Sequence, residues 1–238
     1  DLKVEGHEDR RYAKFMNSFL GRMSKEQRQA WDAAYGPKNE AFLNANLQGE
    51  ELVRWKYQRY VKDYLRCVAA VDDGIGRILE TLDKLDLSEN SLVIYSSDQG
   101  FYLGEHGWYD KRWIYEEFLK MPLVMRWPEK IKPGTIVKKL TQNIDFAPFF
   151  LEAAEAEVPE EIQGMSLMPL FKKPNPKWRN AIYYHYYEAG GHGVPAHYGI
   201  RDERYKLMHF PRTDEWNLVD LKEDPQEMKS FHDDPGYK

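Results

Sequence analysis

A long amphipathic segment followed by a short apolar run constrains the fold of this chain more than any other feature. Between 51 and 85, apolar residues recur at three- and four-residue steps, which predicts one long helix. The run 92–96 then predicts a buried strand, and 121–128 predicts a second strand closed by proline. A helix is predicted over 145–154, with Asp145 as its N-cap and Pro148 in its first turn. This alternation of helix and strand is typical of a layered α/β fold.

Composition narrows the class of protein. Hydrophobic residues make up 42% of the 238 residues, which is enough for a core, and the formal net charge is -5. The acidic balance argues against a nucleic-acid partner. The sequence contains no apolar run of the roughly 18 residues that a membrane span needs. Cys67 is the single cysteine, so no internal disulfide is expected, and its place in the long helix predicts a buried thiol.

The two ends of the chain differ in character. Residues 1–50 are expected to form a polar helical lead-in, with a capping box at Ser24 and breaks at Gly36-Pro37 and Gln48-Gly49. After a proline-rich connector at 172–177, the sequence becomes aromatic and alternating, which predicts a small antiparallel sheet. We therefore expect two parts, 1–175 and 176–238. The predicted strands of the second part are 181–187, 198–201, 205–210 and 216–221.

The segment after the first predicted strand carries the clearest chemistry. Asp98 and Gln99 directly follow that strand, and ligands in open α/β sheets bind beyond the carboxyl ends of strands. Carboxylate and amide oxygens suit a hard cation, whereas the cationic pair Lys111 and Arg112 suits an oxyanion. Each feature also has a simpler interpretation, because an Asp-Gln pair is common in turns and a Lys-Arg pair is common on surfaces.

Histidines add further candidates. His106, in the sequence Gly-Glu-His-Gly, is either a general acid or a histidine hydrogen-bonded within a tight loop. His185, His192 and His197 lie among tyrosines near a Gly190-Gly191 loop. Flat aromatic faces suit a sugar-like ligand, although an ordinary aromatic sheet surface explains this composition equally well.

Taken together and in this order, the motifs resemble those of formylglycine-dependent sulfatases of the alkaline-phosphatase superfamily, from about residue 50 onward. The resemblance rests on the segments 71–79, 97–100, 103–107, 115–117, 121–124, 142–148, 204–207, 218–221 and 224–225, together with Lys111. It implies an alkaline-phosphatase-like α/β/α sandwich, of which this chain is the C-terminal portion, followed by a small C-terminal antiparallel sheet subdomain. It also implies a sulfuric ester hydrolase with a periplasmic, secreted or lysosomal location.

The resemblance assigns roles to particular residues. Asp98 and Gln99 correspond to two ligands of a single Ca²⁺ ion, and Lys111 corresponds to the lysine that holds a sulfate oxygen. The local sequence around Asp110 and Arg112, together with His197 in the tail, is most similar to that of the family branch acting on 6-O-sulfated N-acetylglucosamine. In that branch Asp110, Arg112 and His197 are expected to bind sugar hydroxyls.

The departures from the family pattern are equally informative. The formylglycine nucleophile is made from Cys or Ser in a Cys/Ser-x-Pro/Ala-x-Arg motif, and Cys67 lacks that context. The N-terminal Asp pair that completes the calcium site is also missing. We therefore expect the C-terminal half of a sulfatase, inactive alone. Two alternatives are a phosphoester hydrolase of the same superfamily, with two transition metals, and a non-catalytic module that binds sulfated glycans.

Overall fold

The computed structural model describes residues 17–172, 176–188 and 192–237. The polar start of the chain, part of the predicted connector and the Gly190-Gly191 loop lie outside the described residues. The helices are α1 (Lys25–Ala45), α2 (Gly49–Lys84), α3 (Glu116–Leu119), α4 (Phe146–Ala153) and α5 (Met168–Lys172). The strands are β1 (Val93–Ser96), β2 (Tyr102–Leu103), β3 (Tyr109–Asp110), β4 (Leu123–Arg126), β5 (Ala181–Tyr186), β6 (His197–Asp202), β7 (Tyr205–Phe210) and β8 (Glu215–Asp220). Among the described helices, none is both long and apolar enough to cross a membrane.

The chain divides into two compact units, 1–78 and 79–238. In the first unit, α1 starts at the predicted capping box. The Ser24 Oγ accepts a hydrogen bond from the Gln27 N–H at 3.2 Å, and the Gln27 Oε1 accepts one from the Ser24 N–H at 2.9 Å. This reciprocal pair satisfies two of the N–H groups that a helix start leaves without partners.

The predicted break at Gly36-Pro37 is wrong, because α1 continues through Pro37 to Ala45. A proline inside a helix costs about 3 kcal/mol, so contacts elsewhere must offset it. Aromatic contacts lie on both sides of it. Tyr35 stacks on Trp31 at 4.2 Å on the N-terminal side, and on the C-terminal side Phe42 stacks on Trp55 of α2 at 4.0 Å. Tertiary packing therefore overrides the local signal.

Helix α2 confirms the predicted long helix, but the expectation of a buried thiol is wrong. Cys67 is exposed, and so are Val68 and Val71 on the same helical face. Apolar periodicity predicts that a helix forms and which residues share a face. It does not determine whether another layer covers that face.

Two antiparallel sheets of the second unit hold six of the eight described strands. Strands β1 and β4 pair with Tyr95 opposite Val124, which confirms both predicted strands. Strands β5 to β8 form a meander in chain order, which confirms the predicted aromatic sheet. The predicted division near 175 stays a prediction.

Two hydrophobic clusters form the core of this unit. One joins the inner face of the meander to the segment before α3 through Ile114, Met208 and Val219, which are at most 1% exposed. The other packs Phe149 of α4 against Leu167 and the β1–β4 pair. The segment between β1 and α3 therefore has a packed sheet behind it.

Asp145 occupies the predicted N-cap position of α4, but its carboxylate does not cap the helix. The fully buried side chain accepts hydrogen bonds from the backbone N–H groups of Gln142 and Met165. Arg179 adds a charged pair, with its Nη2 at 2.6 Å from Oδ1. A buried carboxylate needs such partners, and here they join α4 to the start of the meander.

Candidate active site

The loop after β1 holds Asp98 and Gln99 through its backbone. The Ser97 hydroxyl donates to the Gln99 carbonyl at 2.9 Å, and the Asn143 amide donates to the Asp98 carbonyl at 2.7 Å. The Asp98 residue itself is exposed. These contacts fix the peptide while leaving the carboxylate at the surface, which is what a ligand site requires.

Gly100 allows this loop to approach α3 closely. Its N–H donates to the Phe118 carbonyl at 2.7 Å. A Cβ at this position would lie 2.0 Å from the Glu117 carbonyl oxygen, far inside van der Waals contact. Only glycine fits between the candidate ligand loop and the backbone of α3.

We expect Gly100→Ala to destabilise the protein by about 1 to 3 kcal/mol, because backbone must move to admit the methyl group. Chemical denaturation followed by circular dichroism measures the effect. Gly76→Ala is the matched control, since Gly76 lies in α2 and a Cβ there meets nothing within 4 Å. That control is expected to be neutral or stabilising. Equal effects of the two changes would contradict the steric argument.

A short hairpin brings the cationic pair back toward this loop. Antiparallel pairing places Asp110 of β3 opposite Tyr102 of β2, which is three residues beyond Gln99. Lys111 follows directly and is half-buried. The Arg112 Nη1 donates to the Asp110 Oδ2 at 2.6 Å. The hairpin therefore returns one carboxylate and two cations to the segment that directly follows the candidate metal ligands.

The backbone around Lys111 is unusual. Asp110 has a φ of 79° and Arg112 a φ of 103°, both in the left-handed region that non-glycine residues rarely adopt. Such conformations cost of order 1–3 kcal/mol each and concentrate at functional sites. Strain on both sides of one lysine marks this tripeptide as the centre of the candidate site.

For His106, the structure favours the loop interpretation over a general acid. Its side chain is 9% exposed, and its Nε2 lies 3.3 Å from the Glu117 Oε2. The ring also packs at 4.5 Å from the Tyr115 ring. His106 therefore joins the hairpin to α3 as part of the aromatic packing.

The tail histidines do not form one cluster. His197 is fully buried on the inner face of the meander, whereas His185 lies on the opposite face beside the Tyr183 hydroxyl. His192 is exposed near Glu188. Residues 185 and 197 lie on opposite faces because the strand register pairs His197 with Tyr186, the neighbour of His185.

His197 is held as a neutral acceptor. Its Nδ1 lies 2.9 Å from the Pro195 carbonyl, which requires a proton on Nδ1. Burial lowers the pKa of His197, so the ring is uncharged at neutral pH. Its Nε2 is buried with no hydrogen-bond partner among the described residues. A buried acceptor without a hydrogen-bond partner lowers the stability of the folded state. The rings of Trp113 and Tyr184 pack near the His197 ring.

A buried charge network that includes Glu116 of α3 was not predicted from the sequence. The Glu116 carboxylate accepts from Arg201 at 3.0 Å and lies 3.0 Å from the Lys206 Nζ, which in turn donates to Glu227 at 2.6 Å. Lys206 is fully buried. Its one signal in the sequence is a lysine at an inward position of an alternating strand, between Tyr205 and Leu207.

Asp98 and Gln99 are the candidate metal ligands among the described residues. Within 17–172, 176–188 and 192–237, no three His, Cys, Asp or Glu residues lie together as a metal-binding group. The oxygens of Asp98 and Gln99 are of the type that hard divalent cations prefer, but such an ion takes six or more ligands. These residues fit one part of a coordination shell.

The comparisons with known proteins identify the family to which the chain belongs. A family model described as "Sulfatase" matches residues 6–156, and one described as "N-sulphoglucosamine sulphohydrolase, C-terminal" matches residues 104–238. The chain belongs to the sulfatase family. The two matches overlap over residues 104–156, which include Lys111.

Individual relatives support the same family. The chain is 47% identical over 219 residues to an N-acetylglucosamine-6-O-sulfatase of Bacteroides thetaiotaomicron, covering 90% of this chain and 39% of that protein. A solved protein in complex with its substrate D-glucosamine-2-N,6-O-disulfate superposes with a TM-score of 0.88 and 42% identity, covering 100% of this chain and 49% of that one. A phosphonate monoester hydrolase of Agrobacterium radiobacter gives a TM-score of 0.63 and 27% identity, covering 71% and 36%.

Two facts follow from these matches. The fold is the alkaline-phosphatase-like α/β fold of the sulfatases, with the four-stranded meander at its C-terminal side. The chain also spans less than half the length of the curated relatives that it matches. Asp98, Gln99 and Lys111 therefore lie in the part of the sulfatase fold that this chain covers.

Proposed function

We propose that the full-length protein hydrolyses sulfate esters, and that its substrate is 6-O-sulfated N-acetylglucosamine in glycans such as glycosaminoglycans. The similarity to the N-acetylglucosamine-6-O-sulfatase over 90% of this chain carries the proposal. The strained Asp110–Lys111–Arg112 tripeptide supports it, because it presents a cation beside a paired carboxylate and guanidinium. The first group suits a sulfate and the other two suit sugar hydroxyls.

Each residue then has a role in the proposed reaction. The Lys111 ammonium binds a sulfate oxygen and stabilises the charge that develops on the leaving oxygen. Asp110 accepts and Arg112 donates hydrogen bonds to hydroxyls of the sugar. The Nε2 of His197, which is buried and has no hydrogen-bond partner among the described residues, receives a hydrogen bond from a further sugar hydroxyl once the surrounding side chains move to admit it.

One divalent cation, which we propose to be Ca²⁺, is held in part by the oxygens of Asp98 and Gln99. When bound, such an ion supplies positive charge that polarises the sulfate group. Asp98 and Gln99 orient their oxygens through a backbone fixed by Asn143 and Ser97. The other ligands and the nucleophile are proposed to come from the N-terminal half of the fold, so this chain alone is expected not to turn over substrate.

The direct test is desulfation by the purified full-length protein. N-acetylglucosamine 6-sulfate is expected to release sulfate, EDTA to abolish the release, and Ca²⁺ to restore it. The isolated 238-residue chain, assayed beside it, is expected to be inactive. Robust desulfation by the isolated chain, or none by the full-length protein with Ca²⁺, contradicts the proposal.

One observation supports the phosphoester alternative, namely the structural similarity to a phosphonate monoester hydrolase. It predicts two transition-metal ions per full-length protein and hydrolysis of a phosphonate monoester in preference to a sulfate ester. Elemental analysis and paired assays on the two esters distinguish it. Binding of a sulfated sugar without any hydrolysis by the full-length protein would instead favour the glycan-binding module.

A further inference from the structure

We propose that Tyr184 is a positioning residue that sets substrate selectivity by holding the peptide after Lys111. Its hydroxyl donates a hydrogen bond to the Arg112 carbonyl at 2.8 Å, across 72 residues of sequence. This inference rests on the proposed sulfatase function and on the assignment of Arg112 to the sugar. It adds a residue that is not among the proposed sulfate or metal ligands.

The Arg112 conformation needs outside support. A φ of 103° is unfavourable for a residue with a bulky side chain, and it persists only where surrounding contacts determine it. The ion pair with Asp110 acts on the side chain rather than on the peptide. The carbonyl bond from Tyr184 acts on the backbone directly, at the strained residue.

A second tyrosine supports the next peptide. The Tyr102 hydroxyl donates to the Trp113 carbonyl at 3.0 Å. Two consecutive carbonyls, of Arg112 and Trp113, are thus bonded from two different strands, β5 and β2. We call Tyr102 and Tyr184 the tyrosine clamp.

Both hydroxyls are built to stay donors. Burial raises the pKa of Tyr184 to about 12, and burial raises the pKa of Tyr102 further still. The Tyr184 ring is fixed by an edge contact with Phe118 at 5.6 Å and lies 5.6 Å from the His197 ring. Because its ring contacts Phe118 and His197, Tyr184 fixes the Arg112 peptide relative to the meander.

The position of the hydrogen bond between Tyr184 and Arg112 predicts which substrate is hydrolysed more slowly when the bond is removed. Tyr184 holds residue 112, whose guanidinium is assigned to the sugar, whereas the sulfate is assigned to Lys111. Removing one hydrogen bond of this kind changes a binding or rate constant by about tenfold at most, since it contributes about 0.5–1.5 kcal/mol. A sugar sulfate should lose that factor, and an aryl sulfate without a sugar should not.

The test uses the full-length protein with Ca²⁺ and two substrates, N-acetylglucosamine 6-sulfate and 4-nitrophenyl sulfate. We expect Tyr184→Phe to lower kcat/KM for the sugar sulfate by about five- to tenfold, mainly through a higher KM. The same variant should change kcat/KM for the aryl sulfate by less than about twofold. Tyr183→Phe is the matched control: it is the neighbouring residue of β5, faces the opposite way, and its hydroxyl contacts His185 instead. It should change neither value.

A double-mutant cycle separates positioning from general loosening. In an Arg112→Ala background, Tyr184→Phe should have no further effect on the ratio of the two kcat/KM values, because the group it positions is gone. If Tyr184→Phe does not fold, Tyr102→Phe tests the same clamp and should shift the ratio in the same direction.

An equal loss on both substrates, or no loss on either, overturns the proposal for Tyr184. A full shift that persists without the Arg112 side chain overturns it as well. Failure of the proposed function looks different, since the wild-type protein would then release no sulfate from either substrate.

Discussion

Replacing Lys206 by methionine is expected to lower the free energy of unfolding by about 3 to 5 kcal/mol. The Lys206 ammonium is fully buried between Glu116 and Glu227, at 3.0 Å and 2.6 Å from their carboxylate oxygens. Methionine fills similar space but leaves Glu227 without its cation. Removing one partner of a buried ion pair destabilises a protein far more than replacing both partners together, because it leaves an uncompensated buried charge.

The pKa values of the two acids reflect both their burial and their charged partners. Burial alone would raise the pKa of Glu116, but hydrogen bonds from Arg201 and the charge of Lys206 outweigh it and hold that pKa at about 2. Burial raises the pKa of Glu227 despite Lys206. Because the pKa of Glu116 is below its ordinary 4.5, its contribution to stability is complete above pH 4.5 and is lost as pH falls toward 2.

Thermal and denaturant unfolding of the full-length protein measure the effect of Lys206→Met. Lys222→Met is the matched control, since that lysine is 71% exposed and lies 3.9 Å from Glu223. It is expected to change stability by less than about 0.5 kcal/mol. The double variant Lys206→Met with Glu227→Gln should recover part of the loss. A Lys206→Met variant as stable as the control would contradict the proposed role of the network.

Lys111→Ala in the full-length protein is expected to reduce kcat for sulfate-ester hydrolysis by about 10²- to 10³-fold. The physical reason is the loss of a positive charge beside an oxygen on which negative charge grows. The strained backbone at both neighbouring residues supports a functional role for this position. Because Lys111 acts on the sulfate, sugar and aryl sulfates should lose activity equally, unlike after Tyr184→Phe.

Steady-state kinetics on the two esters check this expectation. Lys130→Ala, a change to an exposed lysine beyond β4, should leave both rates intact. Lys111→Arg keeps the charge but spreads it over a planar group, so it should recover only part of the activity. An alanine variant with nearly normal kcat would remove Lys111 from the proposed mechanism.

Much of the fold was predictable because its signals are local. Helix α2 follows from a period of about 3.6 in apolar residues, and strands β5 to β8 follow from alternation. Strands β1 and β4 follow from short continuous apolar runs. The capping box at Ser24 was predictable for the same reason, since both of its hydrogen bonds join residues three positions apart. The order of short motifs was also sufficient to indicate the sulfatase family.

The errors have a common cause. Pro37 was expected to end a helix and Cys67 to be buried, and both expectations failed because contacts distant in sequence decide them. Trp55 of α2 packs on α1 beyond Pro37, and the face of α2 that carries Cys67 is exposed. Asp145 occupies its predicted position, yet its partner Arg179 lies 34 residues away.

The sequence by itself determined the strands β1, β4 and β5 to β8, the family, and the identity of Asp98, Gln99 and Lys111 as candidates. All of these depend on residue type and short spacing, which are visible in one dimension. Only the tertiary structure decided that Asp110 and Arg112 are strained, that Tyr184 holds the Arg112 peptide and that Lys206 lies between two buried acids. Those contacts join residues that lie far apart in the chain, such as Tyr184 and Arg112 at 72 positions, and hydrogen bonds and charge pairs act through distance in space, not along the chain.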